Sequence, residues 1–323
     1  MSKYTILVTG ANGFVGKALA NTLGQSAEIT VRSAYRKVPV PGMDQVSIGD
    51  IGPETDWSKA LQGVDVVVHC AARVHIMQDA GTTESLARFR HVNVEGTRRL
   101  AQQAAAIGVR RLVLVSSIKV NGESTSGRVP YAHDQAPTPE DAYGISKHEG
   151  EQALWEVART TGLEVVVVRP PLIYGPGVKA NFNSLMRAVS RGLPLPFGMA
   201  DNRRSMVYLG NLVDLLQHCA IDPRAPGNTF LASDGHDMST GELVRQLAHA
   251  MGCSPRLLPV PPAFMQLTAR MLGKSAVADR VLGSLQVDIS HTCTTLDWHP
   301  PFSVEQGMQA TVAPLLDASR VAN

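Results

Sequence analysis

The sequence predicts an α/β fold, a doubly wound parallel sheet with helices on both faces, followed by a smaller C-terminal lobe. Strand and helix signals alternate over residues 1–170. Two of the strands, at 64–69 and 111–115, are almost wholly apolar, which is typical of strands buried on both faces of a parallel sheet. Ligands of such sheets bind beyond the carboxyl ends of the strands, so the residues that follow each strand are the first functional candidates.

The expected elements follow one another in a regular order. Strands are predicted at 4–8, 28–36, 46–48, 64–69, 111–115 and 163–168. Helices are predicted from residue 14 and over 56–61, 84–107 and 141–161. The last two helices end at Gly108 and Gly162, since glycine is the usual residue after a helix C-terminus.

The chain changes character at Arg169, where proline and glycine become frequent and the predicted helices become short. Those helices are expected at 211–220, 240–251 and 262–272. Two further strands, at 207–208 and 229–231, are expected to return to the sheet. The pattern divides the chain into a domain of residues 1–170 with 205–235, and a substrate lobe of residues 171–204 with 236–323.

The composition is that of a globular protein without a strong charge bias. The 323 residues are 44% apolar and 18% charged, with a net charge of +2. We therefore expect neither nucleic acid nor a membrane as partner, and any attraction for a phosphorylated ligand must be local. No apolar run is long enough for a membrane span, and no export signal is recognisable. The four cysteines are far apart in the sequence, which favours reduced thiols in a cytoplasmic protein.

A glycine-rich turn joins the first strand to the first helix. Residues 9–16 read TGANGFVG, with glycines spaced G-x-x-G-x-x-G. N–H groups and the helix dipole at such a turn attract a phosphate. Gly10 would allow the tight turn, Gly13 the approach to a pyrophosphate and Gly16 the packing of helix on strand. A turn without a ligand is the alternative, but the flanking strand and helix favour a Rossmann-like dinucleotide site. The cofactor contacts predicted in this turn are Gly10, Asn12, Gly13, Phe14, Val15 and Gly16.

The tip of the second strand bears on the choice of cofactor. NAD enzymes usually carry Asp or Glu here to bind the ribose 2′-hydroxyl, whereas this chain has Arg36 and Lys37. Arg36 can bind a 2′-phosphate bidentately, so NADP(H) is favoured and NAD(H) is the alternative. Solvated loop charges would explain the same two residues. Asp50 and Ile51, after the third strand, are suited to an adenine, although Asp after a strand is often a turn or cap residue.

A tyrosine and a lysine lie four residues apart on the helix predicted at 141–161. Tyr143 and Lys147 therefore share one helix face. A nearby ammonium stabilises a phenolate and lowers its pKa toward the working range. Ser116 and Ser117 end the fifth strand, where a hydroxyl can reach a substrate oxygen. Together they point to carbonyl/alcohol chemistry with hydride transfer at a nicotinamide, although a surface helix face would explain the pair alone.

With these motifs the sequence resembles, over nearly its whole length, the extended short-chain dehydrogenases/reductases that act on nucleotide sugars. The matching segments are 9–16, 49–51, 69–72, 93–97, 116–117, 143–147, 169–177 and 204–208. The resemblance implies that Ser117, Tyr143 and Lys147 are catalytic, and that Asn93 holds the central architecture or a water. It implies further cofactor contacts at Ala71, Ala72, Lys147 and Pro170.

The resemblance also implies substrate contacts at Ser117, Asn181 and Arg204, the last two with the diphosphate of a nucleotide sugar. A turn-forming loop residue and a surface cation are the alternatives for Asn181 and Arg204. No metal site is expected, because the histidines lack metal-ligand spacing. The family often pairs through its long helices, so the helices from Glu84 and Asp141 are the candidates for a homodimer.

Departures from the family pattern narrow the reaction. Dehydratases of the family carry an Asp-Glu pair after the serine, where this chain has Ile118 and Lys119. Many 4-epimerases carry Tyr-Gly where it has Asn121 and Gly122. The run 116–122, together with residues 178–182, looks most like the reductases of UDP-linked 4-keto-6-deoxy-N-acetylhexosamines, of the UDP-N-acetylquinovosamine type. Arg36 fits an enzyme that exchanges NADPH. The alternatives are an NAD-dependent UDP-sugar 4-epimerase and a catalytically silent dinucleotide-binding regulator.

Overall fold

A computed structural model describes residues 4–36, 44–74, 83–273 and 275–321. Its strands are β1 (Tyr4–Thr9), β2 (Ile29–Tyr35), β3 (Asp44–Ser47), β4 (Val66–His69), β5 (Arg111–Val115), β6 (Glu164–Arg169), β7 (Leu172–Tyr174), β8 (Met206–Tyr208) and β9 (Thr229–Leu231). Its α-helices are α1 (Phe14–Leu23), α2 (Ser58–Leu61), α3 (Thr83–Arg90), α4 (Thr97–Ile107), α5 (Ala142–Thr161), α6 (Ala180–Ser190), α7 (Leu209–Ile221), α8 (Thr240–Ala250), α9 (Pro262–Met271), α10 (Ser275–Leu282), α11 (Ser290–Leu296) and α12 (Val304–Val321). Within the described ranges, none of these helices is both long and apolar enough to cross a membrane.

Seven of the strands form one parallel sheet, in the order β3-β2-β1-β4-β5-β6-β9. Alternate side chains of β1 enter different cores, because successive residues of a strand point to opposite faces. Ile6 and Val8 pack with α1 and α7 on one face, whereas Leu7 packs with α4 and α5 on the other. The predicted doubly wound, Rossmann-like fold is confirmed.

The two returning strands behave differently. β9 pairs with β6 and extends the main sheet as expected. β8 instead pairs with β7 in a separate two-stranded sheet, so the prediction that residues 207–208 return to the main sheet is wrong. The reason lies in β7, which follows β6 after Pro170 and Pro171 and leaves the sheet, so that β9 takes the edge beside β6. The division into a domain and a lobe stays a prediction.

The helix predicted at 84–107 contains a widened turn. Residues His91–Gly96 form a π-helical segment between α3 and α4. Asn93, in this segment, accepts a hydrogen bond from the Arg73 N–H (2.8 Å) and donates to the Ser146 hydroxyl (3.0 Å). α5 packs so closely here that a Cβ on Gly150 would collide with the Asn93 carbonyl. Asn93 therefore ties the chain after β4 to α5, which agrees with the architectural role that the resemblance implied.

A buried histidine joins the carboxyl ends of β1 and β4. The Thr9 hydroxyl accepts a hydrogen bond from the Ala71 N–H (3.2 Å) and lies 2.7 Å from Nδ1 of His69. The Thr9 hydroxyl can therefore donate its own proton to Nδ1. Nδ1 accepts it only when it carries no proton itself, as in a neutral imidazole. Burial, with the charge of Lys147 as a smaller cause, lowers the pKa of His69 to about 3.

This histidine makes the fold sensitive to acid. Between pH 6.5 and 3 the unfolded chain binds a proton at His69 that the folded chain excludes, so stability falls as the pH falls through that window. Between pH 7 and pH 5 the free energy of unfolding should fall in both proteins, and the fall should be about 2 kcal/mol smaller in His69→Asn than in the parent. Urea unfolding at both pH values measures this difference. Parallel losses in the two proteins would contradict the assignment of the acid sensitivity to His69.

Candidate active site

The turn after β1 has the geometry that its glycines predict. Gly10 has a positive φ of +65°, and its carbonyl accepts a hydrogen bond from the Gly13 N–H at 2.8 Å. A Cβ on Gly10 would lie 2.9 Å from the backbone of Ala71, and one on Gly16 would collide with the Gly10 carbonyl. Glycine is therefore required at Gly10 for turn and packing, and at Gly16 for packing alone.

The first turn of α1 is suited to an anion. Gly13 is its N-cap, no side chain caps the helix, and its first turn holds no acidic residue. The N–H groups of this turn thus remain available to a phosphate, which the helix dipole attracts. Asn12 and Gly13 are exposed, and Phe14 and Val15 are half-buried behind them. The residues fit a pyrophosphate, as the sequence predicted.

Ala71 and Ala72 follow β4 and are half-buried beside this turn. Pro170 follows β6, is buried, and accepts a hydrogen bond from the Ile118 N–H at 3.0 Å. These three residues lie after β4 and β6, on either side of β5. They occupy the edge of the sheet where ligands of doubly wound folds bind.

At the other end of this edge, Arg36 and Asp50 pair with each other. Nη1 of Arg36 lies 3.6 Å from Oδ1 of Asp50, with both side chains largely exposed, at 70% and 84%. The sequence predicts different contacts for these two residues: Arg36 is expected to bind a 2′-phosphate and Asp50 an adenine. Ile51 is half-buried next to Asp50, and Lys37 lies outside the described residues.

The proposed trio converges at the end of β5. Ser117 is the N-cap of a 3₁₀ turn over Ile118–Val120, and its side chain lies close enough to the Tyr143 phenol to act on the pKa of that phenol. Lys147, buried on the same face of α5 as Tyr143, donates from Nζ to the Val115 carbonyl at 2.8 Å. The structure therefore brings together all three side chains that the sequence singled out.

The electrostatics of the trio differ from expectation. Burial raises the pKa of Tyr143 to about 12, against the lowering effect of the nearby Ser117 side chain. Burial lowers the pKa of Lys147 to about 8, although the nearby Glu151 raises it. The expectation of a lowered phenol pKa is thus wrong, because desolvation of the phenol is the largest effect on this pKa and the Lys147 ammonium donates to the Val115 carbonyl.

The two residues predicted to bind a diphosphate lie outside this cluster. Asn181 is exposed in the first turn of α6. Arg204 is half-buried and donates from Nη1 to the Gly283 carbonyl at 3.0 Å, and burial lowers the pKa of its guanidinium. In the part of the chain that the structure describes, neither residue has a hydrogen bond or ion pair with Ser117, Tyr143 or Lys147.

Comparisons with known proteins now bear on this site. A model of the NAD dependent epimerase/dehydratase family matches residues 6–230. The chain belongs to that family. It is an enzyme of the extended short-chain dehydrogenase/reductase type, as the resemblance implied.

Members of the family resemble the chain over nearly its whole length. It is 47% identical over 318 residues to a UDP-glucose 4-epimerase of Vibrio cholerae, covering 98% of this chain and 96% of the relative. Its fold is similar to that of a UDP-glucuronic acid 4-epimerase of Bacillus cereus in complex with NAD (TM-score 0.75, 22% identity, 95% of each chain). It is also similar to a UDP-glucose 4-epimerase with UDP-glucose of Thermotoga maritima (TM-score 0.75, 21% identity, 98% of this chain and 99% of that one).

Behind the trio of this family member lies an ion pair that sequence reasoning missed. Arg169, at the end of β6, holds Glu151 of α5 through two bonds, Nε to Oε1 at 3.0 Å and Nη2 to Oε2 at 2.6 Å. Ser116 donates to the same carboxylate, and Asn121 accepts from Nη1 of Arg169 at 3.0 Å. The side chains of Arg169 and Glu151 are only 7% and 3% exposed. The spacing of four residues from Lys147 to Glu151, which places both on one helix face, was the signal in the sequence that could have indicated it.

A second missed cluster surrounds Lys119. Its Nζ donates to Asp141 (2.6 Å) and to Glu123 (2.8 Å). Asp141 is also the N-cap of α5, since it accepts from the Gly144 N–H at 2.7 Å. Burial acts to lower the pKa of Lys119, but the bonds to the two carboxylates outweigh it and raise that pKa. Lys119 thus links the turn that carries Ser117 to the start of the helix that carries Tyr143.

The pairing of Lys119 with Asp141 predicts a recoverable loss of stability. Lys119→Met leaves the Asp141 charge with less compensation, so we expect the unfolding free energy to fall by about 1–2 kcal/mol. Adding Asp141→Asn removes that charge and keeps an N-cap, so the double variant should recover most of the loss. Urea unfolding of the parent and of both variants measures the free energies of unfolding. A double variant no more stable than Lys119→Met would contradict this account.

Proposed function

We propose that the chain is a UDP-sugar 4-epimerase that works with bound NAD. The observation that carries the proposal is the convergence of Ser117, Tyr143 and Lys147 in a chain 47% identical to a UDP-glucose 4-epimerase. That identity supports the epimerase more than the 4-keto reductase that the sequence motifs favoured. The departure at Asn121 and Gly122 is then a variation within epimerases rather than a sign of another reaction.

The chain's own residues supply the proton chemistry. Tyr143 takes the proton of the sugar 4-hydroxyl and later returns one, while the nearby Ser117 hydroxyl holds the same oxygen. Proton acceptance needs the phenolate, which burial disfavours. Lys147, one helical turn along α5, is the cation placed to lower that cost. A bound nicotinamide supplies the acceptor for the C4 hydride and its return, so the overall reaction involves no net oxidation.

The turn at Gly10, Asn12 and Gly13 would hold the pyrophosphate of the cofactor, and the residues after β4 and β6 would line its nicotinamide half. Asp50, by pairing with Arg36, offsets a cation that would attract a 2′-phosphate. This pairing favours NAD over the NADP(H) preferred from sequence. Arg36 nevertheless supports the second candidate, an NADPH-dependent 4-keto reductase, since a ligand phosphate would compete with Asp50 for its guanidinium.

For the substrate, we propose that Arg204 and Asn181 bind the diphosphate. The Arg204 guanidinium is half-buried and has a single carbonyl partner in the described structure, so most of its N–H groups remain available. A homodimer through α3–α4 and α5 stays a prediction. The proposed contacts require the lobe to face the carboxyl edge of the sheet.

The first test separates the two redox outcomes. Purified protein given UDP-glucose without added cofactor should form UDP-galactose, and it should not consume NADPH with a UDP-linked 4-keto-6-deoxy-N-acetylhexosamine. Tyr143→Phe should lower the epimerisation rate by about 10²- to 10⁴-fold with an unchanged melting temperature. Tyr4→Phe, a tyrosine at the far end of β1, is the matched control. NADPH consumption without epimerisation would replace the proposal by the reductase.

The pH dependence tests the role of Lys147. Its pKa of about 8 means that the ammonium is present below that pH and lost above it, whereas the phenolate of Tyr143, with a pKa of about 12, becomes more abundant as the pH rises. The two effects cancel above about pH 8, so kcat/KM should rise up to that pH and level off above it. Lys147→Arg keeps the positive charge, so the rise should continue beyond about pH 10 in any variant that retains activity. Lys59→Met, at an exposed lysine of α2, should leave the profile unchanged. A profile that still levels off near pH 8 in Lys147→Arg would assign the titration to another group.

A further inference from the structure

Helix α9 presents an apolar face to solvent. None of its residues is buried, and the side chains of Phe264, Leu267 and Met271 are 59%, 54% and 80% exposed. Their spacing of three and four residues places them on one side of the helix. Leu272, directly after the helix, is 72% exposed. We call these four residues the α9 stripe.

The rest of α9 accounts for its attachment to the protein. The helix packs against α10, and Met265 and Ala269, on another side of it, are half-buried. Two further apolar side chains, Leu258 in the segment before the helix and Met199, are 47% and 49% exposed. These two are close in space, since the Gly198 N–H donates to the Leu258 carbonyl at 2.9 Å.

Positive charge surrounds the stripe. Arg256, Arg270 and Arg280 are exposed, and in the described part of the chain they enter no ion pair. The sequence adds Lys274, and residues 252–283 contain a single acid, Asp279. The net charge of the whole chain is only +2, so this segment holds a local cationic excess that the total conceals.

We propose that the α9 stripe docks on an anionic lipid bilayer. A short amphipathic helix with aromatic and aliphatic residues on one face and arginines around it binds at the interface of such a bilayer, where both kinds of contact are satisfied. A second copy of the chain fits less well, because four side chains offer on the order of 400 Å², about half of what one partner of a stable dimer buries. The arginines would also repel their counterparts there.

Docking would set the orientation of the lobe. The chain leaves α10 at Leu282 and at once contacts the edge of the lobe, where the Gly283 carbonyl accepts from Arg204 (3.0 Å) and the Leu285 carbonyl from the Ser205 N–H (2.8 Å). The proposed membrane surface and Arg204 are therefore joined by a few hydrogen-bonded residues. Binding to the bilayer is independent of the proposed epimerase activity.

Vesicle sedimentation tests the proposal on the full chain. The protein should pellet with vesicles of phosphatidylglycerol and phosphatidylethanolamine, and about tenfold less with vesicles of phosphatidylcholine. The triple variant Phe264→Glu/Leu267→Glu/Met271→Glu should lower the partition coefficient at least about tenfold with an unchanged melting temperature. Val129→Glu, at a valine that is 79% exposed in a loop, is the matched control and should bind like the parent.

Three results would overturn the proposal. The first is that the parent protein stays in the supernatant when it is mixed with the anionic vesicles. The second is that the parent protein binds these vesicles and the triple variant binds them equally well. The third is that the parent protein does not bind vesicles but is a dimer in gel filtration, whereas the triple variant is a monomer. The occupant of the stripe would then be a second copy of the chain.

Discussion

Three buried charges at the ends of β5 and β6 hold the candidate site in place. Lys147 is fixed by the Val115 carbonyl, and Glu151, one turn further along α5, is fixed by Arg169 and Ser116. A charge removed from water must keep its partners, so α5 has little freedom to slide or rotate against the sheet. Tyr143 lies on the same helix face, and its phenol is thereby placed beside the Ser117 side chain.

The opposite side of the site depends on close packing rather than on charge. Gly16 brings α1 against the Gly10 carbonyl, and Gly10 brings the turn against Ala71. The neutral His69, bonded to Thr9, fixes β1 against β4 at the same level. The two halves share the carboxyl edge of one sheet, which is why the glycine turn and the trio, distant in sequence, lie at the same edge.

Much of this arrangement could be predicted from sequence, because it follows from local patterns. Apolar runs predicted the strands of the main sheet, and the spacing of four residues predicted that Tyr143 and Lys147 share a helix face. The π-helical turn around Asn93 could not be predicted, since one extra residue per turn barely alters the apolar pattern. The β7–β8 pair escaped because three-residue strands carry too little signal.

Properties that depend on tertiary contacts were the hardest to predict. The ion pair of Arg36 with Asp50 joins two loops, and no spacing rule connects them. The raised pKa of Tyr143 results from burial, which a helix-face argument does not measure. The same holds for the α9 stripe, because the sequence predicts a helix at 262–272 but not which of its apolar side chains stay exposed.

The central claim is that the trio and the glycine turn serve a hydride that leaves C4 of the sugar and returns to it. UDP-glucose labelled with deuterium at C4 tests this claim most directly. If the account is correct, NMR of the product will show UDP-galactose with the deuterium retained at C4. Loss of the label to solvent, or its replacement by hydrogen from added NADPH, would contradict it.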